Sequence, residues 1–283
     1  MNAAEPTPQT ISILGSTVSY WIFHPGSDKT IVALHGFRGT HHGLQKIIDA
    51  LPGYTIIVPD LPGFGRSTPM TGRPHDIAGY SEFAWQFIQA VAPTSPIVLG
   101  HSFGTIVAAE LAAAHTGFIH QLILINPIVT KDSAAFKPAI SIGRFYYWLG
   151  GRILPERAGM ALLKSTGMIL LGSIIMAKTK DKALRKAIHQ SHIDHFGDFH
   201  SRQVLNESYD ASISHGILEY APAITMPTLL IAGEVDDIAP AKGQYLLEKQ
   251  LPDARLVMVP RVGHLIHHEA VREAAAAIRA FVG

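Results

Sequence analysis

Short, uninterrupted apolar runs recur along the chain, and longer stretches with apolar residues at helical spacing separate them. Uninterrupted apolar runs are typical of strands that are covered on both faces of a sheet. Six such runs occur, at residues 30–34, 54–58, 96–99, 122–125, 228–232 and 255–259. Two earlier runs, 10–14 and 17–24, meet at Gly15-Ser16 and predict a hairpin. Helices are predicted at residues 41–51, 80–92, 106–114, 241–250 and 269–281.

This alternation stops in the middle of the chain. Residues 128–222 have a mostly helical pattern with no convincing buried strand, and the alternation resumes at residue 228. Alternating strands and helices predict an α/β fold with a mostly parallel, eight-stranded sheet flanked by helices. The interruption predicts two regions, a core formed by residues 1–127 and 223–283 and an inserted helical cap formed by residues 128–222.

Composition narrows the classes of function. The 283 residues are 47% hydrophobic and 16% charged, with a net charge of +1, so no nucleic-acid partner is expected. The absence of cysteine excludes disulfides and a thiolate nucleophile. Residues 1–9 lack the apolar core of a secretory signal, and the uncharged stretch 165–177 is too short to span a bilayer. We therefore expect a cytoplasmic protein.

The candidate chemistry begins where the run at 96–99 ends in Gly100-His101-Ser102-Phe103-Gly104. A Gly-x-Ser-x-Gly between a strand and a helix puts the serine on a tight, strained turn with its hydroxyl exposed. The two glycines fit because strand and helix approach too closely there for side chains. Ser102 is therefore the candidate nucleophile, and the helix after it directs its positive end at any negative charge that forms there.

Four further motifs accompany this turn. They are His35-Gly36, Asp60-Leu61-Pro62-Gly63-Phe64-Gly65-Arg66-Ser67, Gly233-Glu234-Val235-Asp236 with Pro240, and Gly263-His264. With the Ser102 turn, and in this order, they resemble the α/β-hydrolase superfamily, in its capped branch of serine hydrolases of the esterase and lipase type. The resemblance covers nearly the whole chain outside the cap. It implies a serine, an acid and a histidine in that order along the chain.

A serine hydroxyl is a poor nucleophile near neutral pH, so Ser102 needs a histidine base, which in turn needs an acid. His264 is the favoured base because Gly263 precedes it in the loop after the last predicted strand. Asp236 is the favoured acid because it follows the strand at 228–232 on the same sheet edge. The alternatives left open are His267 or His268 as the base and Asp237 as the acid.

Several polar residues near these motifs are assigned no catalytic role. Asn126-Pro127 follows the preceding strand, where some members of the superfamily carry the acid, but cannot supply a carboxylate. Asp60 and Arg66 are expected to hold their loop. The polar residues Arg38, His41 and His42 are expected to be solvated in front of a helix.

The resemblance also implies an oxyanion hole made by the backbone N–H groups of Phe37 and Phe103. The residues predicted to line the substrate pocket are His35, Gly36, Tyr146, Trp148 and Leu265. The two cap members come from an aromatic cluster, residues 145–148, that could instead pack the cap onto the core.

Two other features of the cap suggest less favoured alternatives. His189, His192, His195 and His200 could suggest a metal site, but a polar helix face is the preferred interpretation, and no metal is expected. The apolar stretch Met168 to Met176 could touch a membrane, but a buried cap helix or a flexible apolar ligand site is preferred.

The sequence therefore predicts a serine hydrolase without a cofactor, which cleaves a small carboxylic ester with an apolar acyl or aryl group through an acyl-enzyme on Ser102. Hydrolysis of a carbon–carbon bond in ring-cleavage products is the first alternative, but His101 and Leu265 differ from the residues typical of those enzymes. A non-catalytic, ligand-binding scaffold is the second alternative. The oligomeric state is left open.

Overall fold

The computed structural model describes residues 6–92, 94, 96–130 and 138–283, the side chains of the last segment from residue 142 onward. Within these residues eight strands form one sheet: β1 (Gln9–Ile13), β2 (Ser16–Phe23), β3 (Thr30–Leu34), β4 (Thr55–Pro59), β5 (Ile97–His101), β6 (Gln121–Ile125), β7 (Thr228–Gly233) and β8 (Ala254–Val259). Their order across the sheet is β1-β2-β4-β3-β5-β6-β7-β8. The strands from β3 to β8 are parallel, and β2 is antiparallel to both β1 and β4. The predicted fold class is confirmed.

The helices fall into three groups along the chain. The first group belongs to the core: α1 (His41–Asp49), α2 (Ile77–Val91) and α3 (Phe103–Ala114). The second lies between β6 and β7: α4 (Pro138–Trp148), continued by a π-helical turn (Leu149–Ile153), then α5 (Glu156–Leu163), α6 (Thr166–Met176), α7 (Lys182–His195) and α8 (Arg202–Ser214). Two short 3₁₀ turns follow, Ile217–Glu219 and Ala221–Ala223. The third group returns to the core: α9 (Ala241–Gln250), α10 (Ile266–Glu269) and α11 (Val271–Val282).

Side chains that alternate along the strands feed two hydrophobic clusters, one on each face of the sheet. On β5, Val98 packs into the cluster that contains α2 and α3. Its neighbours Ile97 and Leu99 pack into the cluster that contains α1 and α11. Because both faces are covered, every residue of β5 is buried, as the uninterrupted apolar run predicts.

Several helix boundaries differ from the predicted ones, since α1 ends at Asp49 and α3 begins at Phe103, and two further differences have a visible local cause. α2 begins three residues early because the carboxylate of Asp76 accepts from the N–H of Gly79, at 2.7 Å, and caps the helix. The single helix predicted at 269–281 is divided at Ala270, whose backbone is not helical (φ −139°, ψ 45°), into α10 and α11.

The cap docks on the loop after β4 through main-chain hydrogen bonds. Gly65 donates to the carbonyl of Asp198 at 2.8 Å, and His200 donates to the carbonyl of Gly63 at 3.0 Å. The boundaries proposed for the core, 1–127 and 223–283, and for the cap, 128–222, stay a prediction.

Candidate active site

Ser102 lies between β5 and α3 in a left-handed backbone conformation, with φ 52° and ψ −117°. A methyl group on Gly100 would collide with the carbonyl of Gly104, and one on Gly104 would collide with the carbonyl of Leu34. A positive φ on a residue with a side chain costs roughly 1–3 kcal/mol, so the surrounding contacts must impose it. One of them is the hydrogen bond from the Ser102 N–H to the carbonyl of Ile125, at 3.0 Å. The turn leaves Ser102 partly exposed although its two neighbours are buried.

The structure joins three of the predicted residues in one chain of hydrogen bonds. Oγ of Ser102 lies 2.7 Å from Nε2 of His264, and Nδ1 of His264 lies 2.7 Å from Oδ2 of Asp236. Asp236 and His264 are both buried. The carboxylate therefore accepts a hydrogen bond from the Nδ1–H group, which leaves Nε2 of the neutral ring to accept from the serine hydroxyl.

The carboxylate of Asp236 has a full set of donors. Its Oδ1 accepts from the N–H groups of Ile238 and Ala239, at 2.8 and 2.9 Å, and Oδ2 accepts from His264. Burial alone would raise the pKa of Asp236, but the neighbouring His264 and these hydrogen bonds hold the pKa below its ordinary value. Asp236 is therefore charged at neutral pH and offsets the positive charge of an imidazolium.

Asn126, which follows β6, is a site residue that the sequence reasoning missed. Its Nδ2 donates to Oδ2 of Asp236 at 2.9 Å and to the carbonyl of Gly263 at 3.0 Å. It adopts a left-handed conformation (φ 50°) and is fully buried. Asn126 cannot supply a carboxylate, but it ties the loop of the acid to the loop of the base. Its position at a strand end on the catalytic edge is the signal that could have identified it.

The alternatives left open by the sequence lie elsewhere. Asp237 pairs with Nζ of Lys178 at 2.7 Å, and its side chain is about half exposed. The ring of His267 packs on that of His101, with centroids 3.9 Å apart, and His268 packs against His267. In the described residues, neither His267 nor His268 takes the place of His264 beside Ser102.

The loop that begins at His35 lies against the Ser102 turn. A methyl group on Gly36 would lie 3.2 Å from Cβ of Ser102. The ring of His35 fixes the loop through two hydrogen bonds. Its Nε2 accepts from the N–H of Leu61 at 2.8 Å, and its Nδ1 donates to the carbonyl of Gly36 at 2.9 Å. Burial lowers the pKa of His35, so the ring is neutral and this pattern of one acceptor and one donor holds. The contact brings Phe37, a predicted oxyanion donor, close to the turn that carries Phe103.

Asp60 has the predicted structural role. Its Oδ1 accepts from the N–H and from Nδ1 of His41, at 2.9 and 2.8 Å, and its Oδ2 accepts from the N–H of Arg66 at 2.9 Å. The expectation that His41 is solvated is wrong: its ring is buried and stacks on Trp21, with centroids 3.4 Å apart. Asp60 thus holds both the loop after β4 and the start of α1.

Arg38 is not solvated either. It is 4% exposed and lies between the loop after β3 and the cap. Its Nε donates to the carbonyl of Phe196, and one terminal nitrogen donates to the carbonyl of Leu163, both at 2.8 Å. The other terminal nitrogen donates to the hydroxyls of Tyr146 and Tyr147, both at 3.3 Å. Both carbonyls belong to C-terminal ends of helices, α5 and α7, whose dipoles stabilise a buried cation.

A cavity of about 620 Å³ lies between the cap and the strand ends and reaches Ser102 and His264. The predicted pocket residues His35, Gly36, Tyr146 and Leu265 line it, and so does Phe37. Trp148 is not among its lining residues, and its side chain is 45% exposed. The predicted role of Trp148 in the pocket is therefore wrong. Much of the remaining wall is aliphatic, with Met168, Ile169 and Leu171 from α6.

Seven histidines line this cavity, and several are buried side by side: His101, His192, His267 and His268. Burial, reinforced by the neighbouring rings, lowers the pKa of His192 to about 3, and burial lowers that of His268 to about 4. The expectation that His192 belongs to a polar helix face is wrong, since its ring is buried and its Nδ1 lies 2.8 Å from the hydroxyl of Ser173 inside the cap. Among the described residues, no group of three or more metal-binding side chains has the geometry to hold a metal ion.

Comparison with known proteins agrees with the fold. The alpha/beta hydrolase fold family model matches residues 29–271. Lipase 1 of Psychrobacter immobilis is 26% identical over 260 residues, which cover 89% of this chain and 76% of that protein. The magnesium-chelatase 30 kDa subunit of Rhodobacter capsulatus is 27% identical over 272 residues, 89% of this chain and 87% of that protein. The solved structure of an esterase from Exiguobacterium antarcticum superposes with a TM-score of 0.77 at 19% identity, covering 98% of this chain and 99% of that one. Because the family model matches most of the chain and the eight-stranded sheet agrees with it, the chain belongs to the alpha/beta hydrolase fold family.

Proposed function

We propose that the protein is a serine hydrolase that cleaves a carboxylic ester through an acyl-enzyme on Ser102. The observation that carries the proposal is the unbroken series of hydrogen bonds Ser102–His264–Asp236, which begins at a serine accessible from the cavity. The similarity to a lipase supports ester hydrolysis in general. The chemistry needs no cofactor, because base, acid and nucleophile all come from the chain.

The geometry suits a two-step mechanism. His264 takes the proton of Ser102 as Oγ attacks the ester carbonyl, and then gives that proton to the leaving alkoxide as the acyl-enzyme forms. In the second step His264 takes a proton from water, the resulting hydroxide attacks the acyl carbon, and Ser102 leaves with that proton. In both steps the N–H groups of Phe37 and Phe103 are the proposed donors to the oxyanion, each worth roughly 2.7–4 kcal/mol.

The cavity favours an apolar acyl or aryl group. A volume of about 620 Å³ is within the range of sites that enclose a whole small molecule. The aliphatic wall from α6 and the aromatic side chains of Phe37 and Tyr147 offer dispersion contacts to an apolar group. We therefore propose medium-length acyl esters as substrates and assign the acyl group to the space under the cap.

A fluorophosphonate probe tests the nucleophile directly. The native protein should be labelled and turn over p-nitrophenyl esters, and Ser102→Ala should lose both properties. The matched control is Ser212→Ala, which removes another serine hydroxyl that faces the cavity and should keep both. Native protein without label would overturn the enzymatic proposal and favour the non-catalytic scaffold.

A series of p-nitrophenyl esters from acetate to dodecanoate, run beside an aryl diketone acid, tests the reaction and the substrate. We expect kcat/KM to rise with acyl length and then fall once the chain exceeds the cavity. Turnover of the diketone acid without turnover of esters would instead assign the triad to carbon–carbon bond hydrolysis.

A further inference from the structure

The cap exposes large apolar side chains on two neighbouring elements. On α4, Phe145 and Trp148 are 58% and 45% exposed, and their rings lie 5.8 Å apart. On α6, Ile174 is 54% exposed. In α6 the buried residues are Ile169 and Ser173, and five of its eleven residues are exposed, so one side of this apolar helix faces outward. Large apolar side chains exposed on two helices of one cavity mark an interaction site.

This surface is continuous with the entrance of the cavity. Ile142 of α4 and Leu171 and Ile175 of α6 line the cavity, yet their side chains are 54%, 43% and 37% exposed. A side chain that lines the cavity and is also exposed to solvent must lie where the cavity opens to the surface. The cavity therefore opens between α4 and α6, and the exposed side chains of Phe145, Trp148 and Ile174 lie on the same two helices without lining the cavity.

The same region carries a strong excess of positive charge. Residues 138–190 contain nine lysines and arginines and two acidic residues, whereas the rest of the sequence contains fourteen basic and twenty acidic residues. The nearly neutral net charge of the whole chain thus hides a basic segment, residues 138–190, in the first part of the cap, whereas the rest of the cap, residues 191–222, contains five acidic residues and one basic residue. Lysines flank both ends of α6: Lys164, whose ammonium lies over the ring of Phe199, precedes it, and Lys178, which pairs with Asp237, is followed by Lys180 and Lys182.

From the exposed apolar face, the opening and the charge, we infer that the cap binds the surface of a lipid bilayer that contains anionic phospholipids. An apolar helix flanked by lysines can bury its side chains at the level of the acyl chains while its ammonium groups meet the lipid phosphates. Phe145 and Trp148 suit the same interface, where aromatic side chains concentrate. The cavity would then open toward the membrane, where apolar esters are found.

The geometry favours a helix that lies on the bilayer over one that crosses it. By length and composition the stretch Glu156–Met176 could cross a membrane. In the fold, however, it is divided at Lys164 and Ser165 into α5 and α6. The 11 residues of α6 extend about 16 Å, roughly half the thickness of the hydrocarbon core.

A second copy of the chain is the less favoured occupant. Two caps placed face to face would bring two basic surfaces together, and this repulsion opposes association. An anionic bilayer complements both properties of the surface, its apolar area and its charge.

Co-sedimentation with vesicles tests the inference. It uses Ser102→Ala, so that lipid stays intact and the result does not depend on the proposed function. We expect strong binding to phosphatidylcholine vesicles that contain phosphatidylglycerol and weak binding to phosphatidylcholine alone. Replacing Phe145, Trp148 and Ile174 together by serine should weaken binding by about tenfold or more. The matched control replaces Tyr245 and Leu246 of α9, which are 51% and 43% exposed on the core, and should bind as before.

A charge variant and a fluorescence measurement complete the test. Lys180→Glu with Lys182→Glu should weaken binding to the anionic vesicles and leave the Tm within about 2 °C of the parent. Brominated lipids should quench the emission of Trp148, and Trp148→Phe should remove the quenched component, since Trp21 is fully buried and Trp85 lies on α2 of the core, half-buried against the hydrophobic cluster. Equal binding by the patch and control variants, or equal binding to both kinds of vesicle, overturns the inference. A dimer in light scattering that the patch substitutions dissolve, with no vesicle binding, assigns the surface to a second copy instead.

Discussion

At the scale of single residues, the identity of the acid depends on two adjacent aspartates. Oδ2 of Asp236 accepts a hydrogen bond from Nδ1 of His264, at 2.7 Å. Oδ2 of Asp237 instead accepts from Nζ of Lys178, also at 2.7 Å. Asp236→Asn should lower kcat by roughly 10⁴-fold, because an amide can hold the ring in the wrong tautomer and cannot offset its charge. Asp237→Asn, the same change one residue away, should leave kcat within about threefold of the parent. Steady-state kinetics on one p-nitrophenyl ester measures both, and a larger loss in Asp237→Asn would reassign the acid.

Asn126 gives a second prediction at this scale. Its Nδ2 donates to the same carboxylate oxygen that accepts from His264 and also to the carbonyl of Gly263. Asn126→Ala should lower kcat by about tenfold or more with little change in KM, since a hydrogen bond to a charged group is worth roughly 1.5–3 kcal/mol. A change in KM alone would show that Asn126 acts on substrate binding and not on the acid. The Tm of the variant, measured in parallel, separates lost positioning from lost folding.

The sequence was sufficient to propose Ser102, His264 and Asp236 because each follows a buried strand within a recognisable motif, and parallel strands bring those ends to one edge. It was insufficient for Asn126. An amide at a strand end shows only that this position supplies no carboxylate, and the carboxylate to which Asn126 donates comes from a different loop. Trp148 was misassigned for a geometric reason. Consecutive residues of a helix point about 100° apart, so the residues of an aromatic run cannot all face the same cavity, and Phe145 and Trp148 share the outer face.

At the scale of elements, contacts between the loop after β3 and three cap segments could not be read from local pattern. Arg38 looked like a polar residue before a helix, but the C-terminal ends of α5 and α7 converge on it. These helices are distant in sequence, and periodicity carries no information about which of them meet. The strands were easier to predict because full burial leaves an uninterrupted apolar run.

Arg38 therefore gives a prediction about how the cap is held on the core. Arg38→Met should reduce the free energy of unfolding by roughly 2–4 kcal/mol, because buried carbonyl and hydroxyl groups would lose their donor. Arg38→Lys should recover only part of the loss, since an ammonium cannot reproduce the planar arrangement of donors. Arg66→Met is the matched control, because that guanidinium is exposed and lies over Trp21. Urea unfolding measures all three variants, and equal losses in Arg38→Met and Arg66→Met would contradict the role assigned to Arg38.

At the scale of the whole molecule, the buried histidines link folding to pH. The pKa of His192 is lowered to about 3 and that of His268 to about 4, and the pKa values of His101 and His267 are lowered well below the ordinary value. Burial is the main cause for all four. In the unfolded chain these rings take up protons near pH 6.5, whereas in the folded protein they do not. The unfolded state therefore binds more protons, and stability must fall as the pH drops below about 6.5.

The carboxylates act in a different range of pH. The pKa values of Asp60 and Asp236 are lowered in the folded protein, so their contribution to stability is lost only as the pH falls below about 4. Destabilisation between pH 6.5 and 4 is thus a signature of the histidines. For each ring that stays neutral in the folded protein, the free energy of unfolding falls by up to about 1.4 kcal/mol for every pH unit of acidification in this range.

We expect the free energy of unfolding in urea to decrease steeply from pH 7 to pH 5. The decrease should be smaller in His192→Phe, because a phenyl ring can keep the packing on Phe196, 4.2 Å away between ring centroids, and has no proton to exclude. His200→Gln, at an exposed position of the cap, is the control and should keep the slope of the parent. If His192→Phe and the parent lose stability at the same rate, the buried rings are not the origin of the pH dependence. If only His192→Phe has the shallower slope, the neutral histidines under the cap are what restricts the folded protein to neutral and alkaline pH.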